Sequence, residues 1–270
     1  MLKMLFATLL TVPIFISSVF ADGHCAAGKT LTAEKLTIAT GNPAYFPWVL
    51  NDAPESGQGY EAAVAYAVAR EMGFATDDVI WVRTSFDEAI QPGTKNFDFN
   101  IQQYSITSER DEFVDFSKPY FASPMAVLVA PGIDVAPTLE ELRELKWGAV
   151  GTTTAIPKLS EVIKPSSAPL LYGDNADINA AMMANQIDAA LFDLPTALFL
   201  SAVMIEGSTV IGQFPADRGE NPDLFGLLME EDSALKECVD EALEKLTVSG
   251  ELAAIEAEWL QQTTGVPLID

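Results

Sequence analysis

Histidine is almost absent from this sequence: His24 is the only one among 270 residues, and cysteine occurs only as Cys25 and Cys238. Metal sites built from clustered Cys and His need several such ligands at set spacings, so a site of that kind is excluded, and no other pattern implies a cofactor. Basic residues are scarce too, 15 Lys and Arg against 39 Asp and Glu, for a formal net charge of −24. A surface of that sign repels phosphate backbones and anionic lipid, which argues against nucleic acid and membrane as partners. It leaves the ligand open, because a cleft can hold local positive charge inside an acidic molecule. Past residue 21 no apolar run is long enough to span a bilayer. Internal repeats and low-complexity stretches are also missing.

The first residues carry a different pattern. Lys3 gives a positive start, Met4 to Phe20 are almost wholly apolar or small, and Val19-Phe20-Ala21 precedes polar Asp22-Gly23-His24. This is the three-part layout of a secretory signal peptide, residues 1–21, with cleavage expected after Ala21. A membrane anchor is the alternative, but the run is short for a span. Lipidation at Cys25 is disfavoured by bulky His24 just before it. Removing residues 1–21 takes away Lys3 and no acid, so the mature charge is about −25. In an oxidising compartment a Cys25–Cys238 disulfide is favoured over two unrelated thiols.

About 250 mature residues suffice for one large domain or two lobes of ordinary size. Leu36 to Ala39 reads as a buried strand, Gly59 to Met72 as a helix stopped by Gly73, and Val79 to Val82 as a strand. Ser85 to Ile90 follows as a short helix and Phe97 to Ile101 as a third strand. This β-α-β-α-β order predicts a mostly parallel sheet with ligands at the carboxyl ends of its strands. The pattern restarts with strands at Ala126 to Val129, Trp147 to Val150, Leu170 to Tyr172 and Ile187 to Phe192, with helices between them. Leu224 to Met229 reads as a last strand, followed by acidic amphipathic helices over Ser233 to Leu246 and Gly250 to Leu260. The expected division is a discontinuous lobe 1 of residues 22–127 and 214–270, with lobe 2 over 128–213.

The segment from Phe97 to Phe121, FDFNIQQYSITSERDEFVDFSKPYF, carries the most chemistry. A strand exit presents Gln102, Gln103, Tyr104, Ser105 and Thr107, with Arg110 in the same loop. A buried carboxylate needs a planar two-pronged donor and neutral donors in place of its water, and arginine with a serine hydroxyl supplies both. Read alone, Arg110 could equally pair with Glu109, Asp111 or Asp115 on a solvated face.

The SIT-x-x-R stretch followed by VDFS-x-PY resembles the signature of bacterial extracellular solute-binding proteins, family 3, the polar-amino-acid class. The resemblance extends through Tyr45-Phe46-Pro47-Trp48, Gly59-Tyr60-Glu61, Ser85-Phe86-Asp87, Gly151-Thr152-Thr153 and Gln186 to Asp193. It implies the type II periplasmic-binding-protein fold, with two α/β lobes, a ligand in the cleft between them, and hinge closure instead of catalysis. It also implies a location in the periplasm and an ABC-transporter permease as partner.

Site roles carry over by position. Arg110 and Ser105 would grip a ligand α-carboxylate, Gln103 would lie near its ammonium, and Asp193 would bind that ammonium. Tyr45 and Phe86 would sandwich the side chain, with Trp48 beside them. Thr153 or Thr154, at a helix N-terminus, would complete the carboxylate site, the phase at Gly151 leaving both open. Read alone, the three aromatics could be core residues and Asp193 a helix cap. Asn42, where relatives with basic ligands carry an acid, points to a neutral ligand side chain, unless Glu61 or Asp52 folds inward. The chain is expected to act as a monomer. A receptor-serving sensor and a dehydratase of the same fold are the alternatives.

Overall fold

The computed structural model describes residues 25–216, 223–260 and 265–269. The expected signal peptide and its cleavage point lie outside the described residues. Two five-stranded sheets organise the rest. The first is built from β1 (Leu36–Thr40), α1 (Tyr60–Glu71), β2 (Val79–Arg83), α2 (Phe86–Ala89), β3 (Phe99–Asn100) and β4 (Val114–Ala122). The chain then enters the second sheet with β5 (Met125–Val129), α3 (Leu139–Leu142), β6 (Trp147–Val150), α4 (Ala155–Pro157), β7 (Leu170–Tyr172) and α5 (Asn175–Met183). That half is completed by β8 (Ala189–Asp193), α6 (Leu194–Phe199) and β9 (Thr209–Phe214). It returns to the first sheet with β10 (Leu224–Glu230), followed by α7 (Lys236–Ser249) and α8 (Glu251–Trp259).

The strand orders are β2-β1-β3-β10-β4 and β7-β6-β8-β5-β9. The expected parallel units are present in both sheets, and each sheet also carries one reversed strand. β1 pairs in parallel with β2 and β3, while β10 runs antiparallel to β3 and β4. In the second sheet β6 is parallel to β7 and β8, and β5 is antiparallel to β8 and β9. The reversed strands are those that cross between the sheets, so they enter each sheet from the opposite end.

Burial on both faces explains the short apolar runs. All five residues of β5 are buried. Met125, Val127 and Val129 pack on one face with Trp147 and Leu191, and Ala126 and Leu128 on the other with Ile178 and Phe192. Alternate side chains of a strand point to opposite faces, so a sheet covered on both sides selects a continuous apolar run. In the first sheet Leu36, Ile38 and Phe99 pack against Val64 and Val68 of α1 and Val239 and Leu243 of α7. The disulfide Cys25–Cys238 ties the start of the described chain to α7, with a Cα–Cα distance of 5.5 Å.

Sheet membership shifts the expected lobe edges. Residues 125–127 belong with the second sheet through β5, which crosses over at Ser123 and Pro124. Residues 265–269 also join that sheet, since Gln213 N–H donates to Pro267 O at 2.8 Å and Ile269 N–H to Gln213 O at 3.0 Å. Gly212 is required there, because a Cβ would meet Ile269 Cγ1 at 2.6 Å.

Candidate functional site

The carboxyl ends of β1 and β3 face those of β6 and β8 across a cleft, and the cavity between them measures about 290 Å³. Asn42, Tyr45 and Trp48 come from the loop after β1, and Gln103, Ser105 and Arg110 from the loop after β3. Phe86 comes from α2, while Thr153, Thr154 and Asp193 come from the second sheet. All ten residues singled out on sequence line this one cavity.

Arg110 is 9 % exposed. One arm donates to Ser105 O and the other to Thr152 O across the cleft, both at 2.8 Å. Its guanidinium lies 5.3 Å from the Phe86 ring centroid, and Phe86 stacks on buried Tyr104 at 4.5 Å. The arginine is therefore held by two carbonyls and an aromatic face, not by the neighbouring acids Glu109, Asp111 or Asp115. Ser105 Oγ lies 3.4 Å from Thr154 Oγ1, so the hydroxyls of the two halves meet beside it. Thr153 turns its hydroxyl back to Val150 O at 2.8 Å.

Asp193 caps α6, accepting from Thr196 N–H at 2.8 Å, while also lining the cavity. Burial pushes its carboxyl up to about 6, against the pull of the Thr196 bonds. Trp48 is 2 % exposed, packs edge-on against Tyr60 and Phe121, and donates from Nε1 to Thr196 Oγ1 at 2.8 Å. It is thus a core ring whose edge reaches the cleft and joins the halves. Phe46 and Phe199 meet across the same boundary at 5.3 Å, and the Thr152 hydroxyl donates to the Asp87 carboxylate. Tyr45 is more open, at 37 % exposure.

Behind the cavity lies a buried acid. Gly59, at φ +104°, opens α1 so close to Trp48 that a Cβ would sit 2.5 Å from its carbonyl oxygen. Helix N–H groups of Tyr60 and Glu61 then bond Pro47 O and Trp48 O at 2.8 and 3.0 Å. This places fully enclosed Glu61 under the β3 loop, where it accepts from Gln103 N–H at 2.8 Å, from the Gln103 side-chain amide, and from Tyr120 OH. Burial pushes Glu61 up to about 7, with these hydrogen bonds pulling the other way. Gln103 is held at φ +50°. Asp52 is engaged too, forming a 2.7 Å ion pair with Arg83. Neither acid therefore folds into the ligand space.

Sequence reasoning missed Asp223. It opens onto β10, lines the cavity, and accepts from the Thr154 hydroxyl at 3.3 Å. Nothing local in Asn221-Pro222-Asp223 marks it, because its position depends on the chain crossing back between sheets. Among the described residues no cluster of His, Cys, Asp or Glu could hold a metal ion.

The chain is similar to known proteins in sequence and in fold. The family model for bacterial extracellular solute-binding proteins, family 3, matches residues 36–262. A Campylobacter jejuni protein named "Probable histidine-binding protein" is 29% identical over 177 residues, 64% of this chain and 65% of that protein. The histidine-binding periplasmic protein of Salmonella typhimurium is 25% identical over 244 residues, 87% of this chain and 91% of that one. Among solved structures, an ancestral arginine-binding protein bound to arginine superposes with a TM-score of 0.69 at 24% identity, covering 84% of this chain and 98% of that one. Its likeness adds the two-lobed type II binding-protein fold. With the family model spanning both sheets and the cleft between them, this chain belongs to the bacterial extracellular solute-binding proteins, family 3.

Proposed function

We propose that the cleft takes an amino acid or amino-acid-like small molecule, closes over it by hinge motion, and delivers it to the permease of an ABC transporter in the periplasm. The moving bodies are residues 25–123 with 223–260, and residues 125–216 with 265–269. The observation that carries the reading is the split of the cavity lining: Arg110 and Ser105 stand on one half, Thr154 and Asp193 on the other. Arg110 is the one basic side chain lining the cavity among the described residues, and the second half has no cation of its own for a carboxylate, so a zwitterion held by Arg110 and Asp193 bridges the halves. A zwitterion touching both favours the closed form by its differential affinity, and closure is the change a permease can read. In this reading Arg110, Ser105 and Thr154 take the carboxylate, Asp193 and Gln103 the ammonium, and Tyr45 and Phe86 the side chain. Isothermal titration with L-amino acids tests it, with one-to-one binding expected and heat lost in Arg110→Ala.

For the ligand side chain we hold to a neutral group. Asn42 lines the cavity without charge, while Asp52 and Glu61 are engaged with Arg83, Gln103 and Tyr120. Asp87 and Asp174 on the cavity wall favour a second reading, a cationic side chain, as do the relatives named for histidine. A thermal-shift panel decides: a larger shift with lysine, arginine or histidine than with any neutral amino acid establishes the second.

Binding proceeds without turnover in this account. Glu61 is committed to Gln103 and Tyr120, and Asp193 caps its helix. Consumption of prephenate-like acids by purified protein would replace binding with a dehydratase. A receptor as the downstream partner is distinguished from a permease by uptake of labelled ligand in a deletion strain. Removal of residues 1–21 and a monomeric state complete the proposal, checked by N-terminal sequencing and by size-exclusion chromatography with light scattering.

A further inference from the structure

Asp223 stands on one of the two connections between the sheets, and its carbonyl accepts from Ser123 N–H, on the other connection, at 2.8 Å. Its backbone is thus fixed to the hinge. The carboxylate faces the cavity, where Oδ2 accepts the Thr154 hydroxyl at 3.3 Å. Oδ1 is enclosed and has no hydrogen-bond partner among the described residues. A buried carboxylate oxygen left unpaired is costly, and each such atom calls for a physical explanation.

Arg110 does not supply it. Both guanidinium arms donate to carbonyls, those of Ser105 and Thr152. No ion pair joins Arg110 to Asp223 among the described residues. The attraction of Arg110 and Lys158 reaches Asp223 only through space, and the negative charge of Asp223 acts on Asp193, which lines the same cavity. Two carboxylates of like charge therefore face one small space, one from the second sheet and one from the hinge. A cation with several N–H donors would satisfy both at once.

We propose that Asp223 and Asp193 together form a two-carboxylate seat for a primary ammonium group of the ligand, with Oδ1 of Asp223 as an acceptor. The inference rests on the amino-acid reading of the cleft and deepens it in two respects. A primary ammonium has three N–H donors, enough for both acids, so alkylation of the nitrogen removes a donor and adds bulk. Because Asp223 belongs to the hinge connection, the ammonium contacts the moving element directly. Recognition of the amine is thereby tied to closure.

Matched pairs of an L-α-amino acid and its 2-hydroxy acid test the seat: alanine with lactate, phenylalanine with phenyllactate, lysine with 6-amino-2-hydroxyhexanoate. Calorimetry should show Asp223→Asn weakening the best-bound amino acid by about tenfold or more while its hydroxy acid changes by less than about threefold. Asp193→Asn should show the same selective loss. Equal weakening of both members of a pair would reduce Asp223 to a support of the carboxylate side. Tighter amino-acid binding by Asp223→Asn would make it a competitor for Arg110. Either result overturns the seat while leaving the amino-acid reading in place. Failure of every amino acid to bind the unaltered protein overturns both. Should Asp223→Asn not fold, Asp223→Ser takes its place, with the same selective loss of about tenfold for the amino acid and less than about threefold for its hydroxy acid expected.

Discussion

The Glu61 carboxylate takes both the main-chain N–H and the side-chain amide of Gln103, and so holds a cavity residue in the left-handed region of backbone space at φ +50°. A residue with a side chain adopts that conformation when its surroundings determine it, as they do here. Removing the carboxylate therefore releases the loop that carries Gln103 and Ser105. Glu61→Gln keeps the volume but places an amide N–H₂ against two donors. Hydrogen bonds to a charged group contribute roughly 1.5–3 kcal/mol each. We expect ligand affinity to fall by about tenfold or more with the fold retained, checked by calorimetry beside far-UV circular dichroism.

The same residue sets a pH dependence of stability. Burial raises Glu61 from its ordinary 4.5 to about 7, so between those values the folded state holds a proton that the unfolded state has released. Stability from this group is fully present below pH 4.5 and is lost as pH rises towards 7. The span corresponds to about 3 kcal/mol. Asp193, raised from 3.8 to about 6, acts in the same direction over its own window. Denaturant melts from pH 4 to 8 should show the stability difference between Glu61→Gln and the unaltered protein changing up to about pH 7 and level above it. A difference independent of pH would show that Glu61 is ionised throughout.

Much of the site was legible because its parts are local in sequence. Ser105 and Arg110 lie five residues apart in one strand-exit loop, and Asp193 ends a strand at a helix cap. Asp223 was not legible, since its neighbours Ser105, Thr154 and Ser123 come from three other segments. β4 was hidden by Pro119, which sits where the pairing with β10 shifts register around Gly226, a place a strand can accept proline. β9 was hidden by Gly212, which reads as a break until Ile269 packs over it. The one reversed strand in each sheet was not legible for a related reason: alternation of strand and helix reports the parallel units and not the strands that cross between sheets.

Trp48 offers a direct test of how the halves hold together. Its Nε1–H donates to Thr196 Oγ1 across the boundary, and Trp48→Phe removes that bond while keeping an aromatic core ring. The net loss should be about 1 kcal/mol in favour of the open form. Small-angle scattering of the ligand-free protein should then give a larger radius of gyration. An unchanged radius together with unchanged affinity would show that the bond does not bias closure.

The Cys25–Cys238 bond closes a separation of 213 residues. Loops of that size constrain the unfolded chain, and losing a native disulfide commonly costs about 2–5 kcal/mol. Cys25→Ser with Cys238→Ser should lower the melting temperature while leaving ligand affinity within about threefold, because neither residue lines the cleft. A parallel loss of affinity would mean that the N-terminal tie shapes the cavity.

The central claim is that Arg110 on one half and Asp193 on the other clamp a zwitterion. Calorimetry of the unaltered protein, Arg110→Ala and Asp193→Asn against the amino acid giving the largest thermal shift tests it most directly. Truncating one partner of a desolvated charged pair commonly costs about 2–5 kcal/mol, so each variant should bind at least about thirtyfold more weakly while remaining folded. Affinities within about threefold of the unaltered protein in either variant would contradict the clamp.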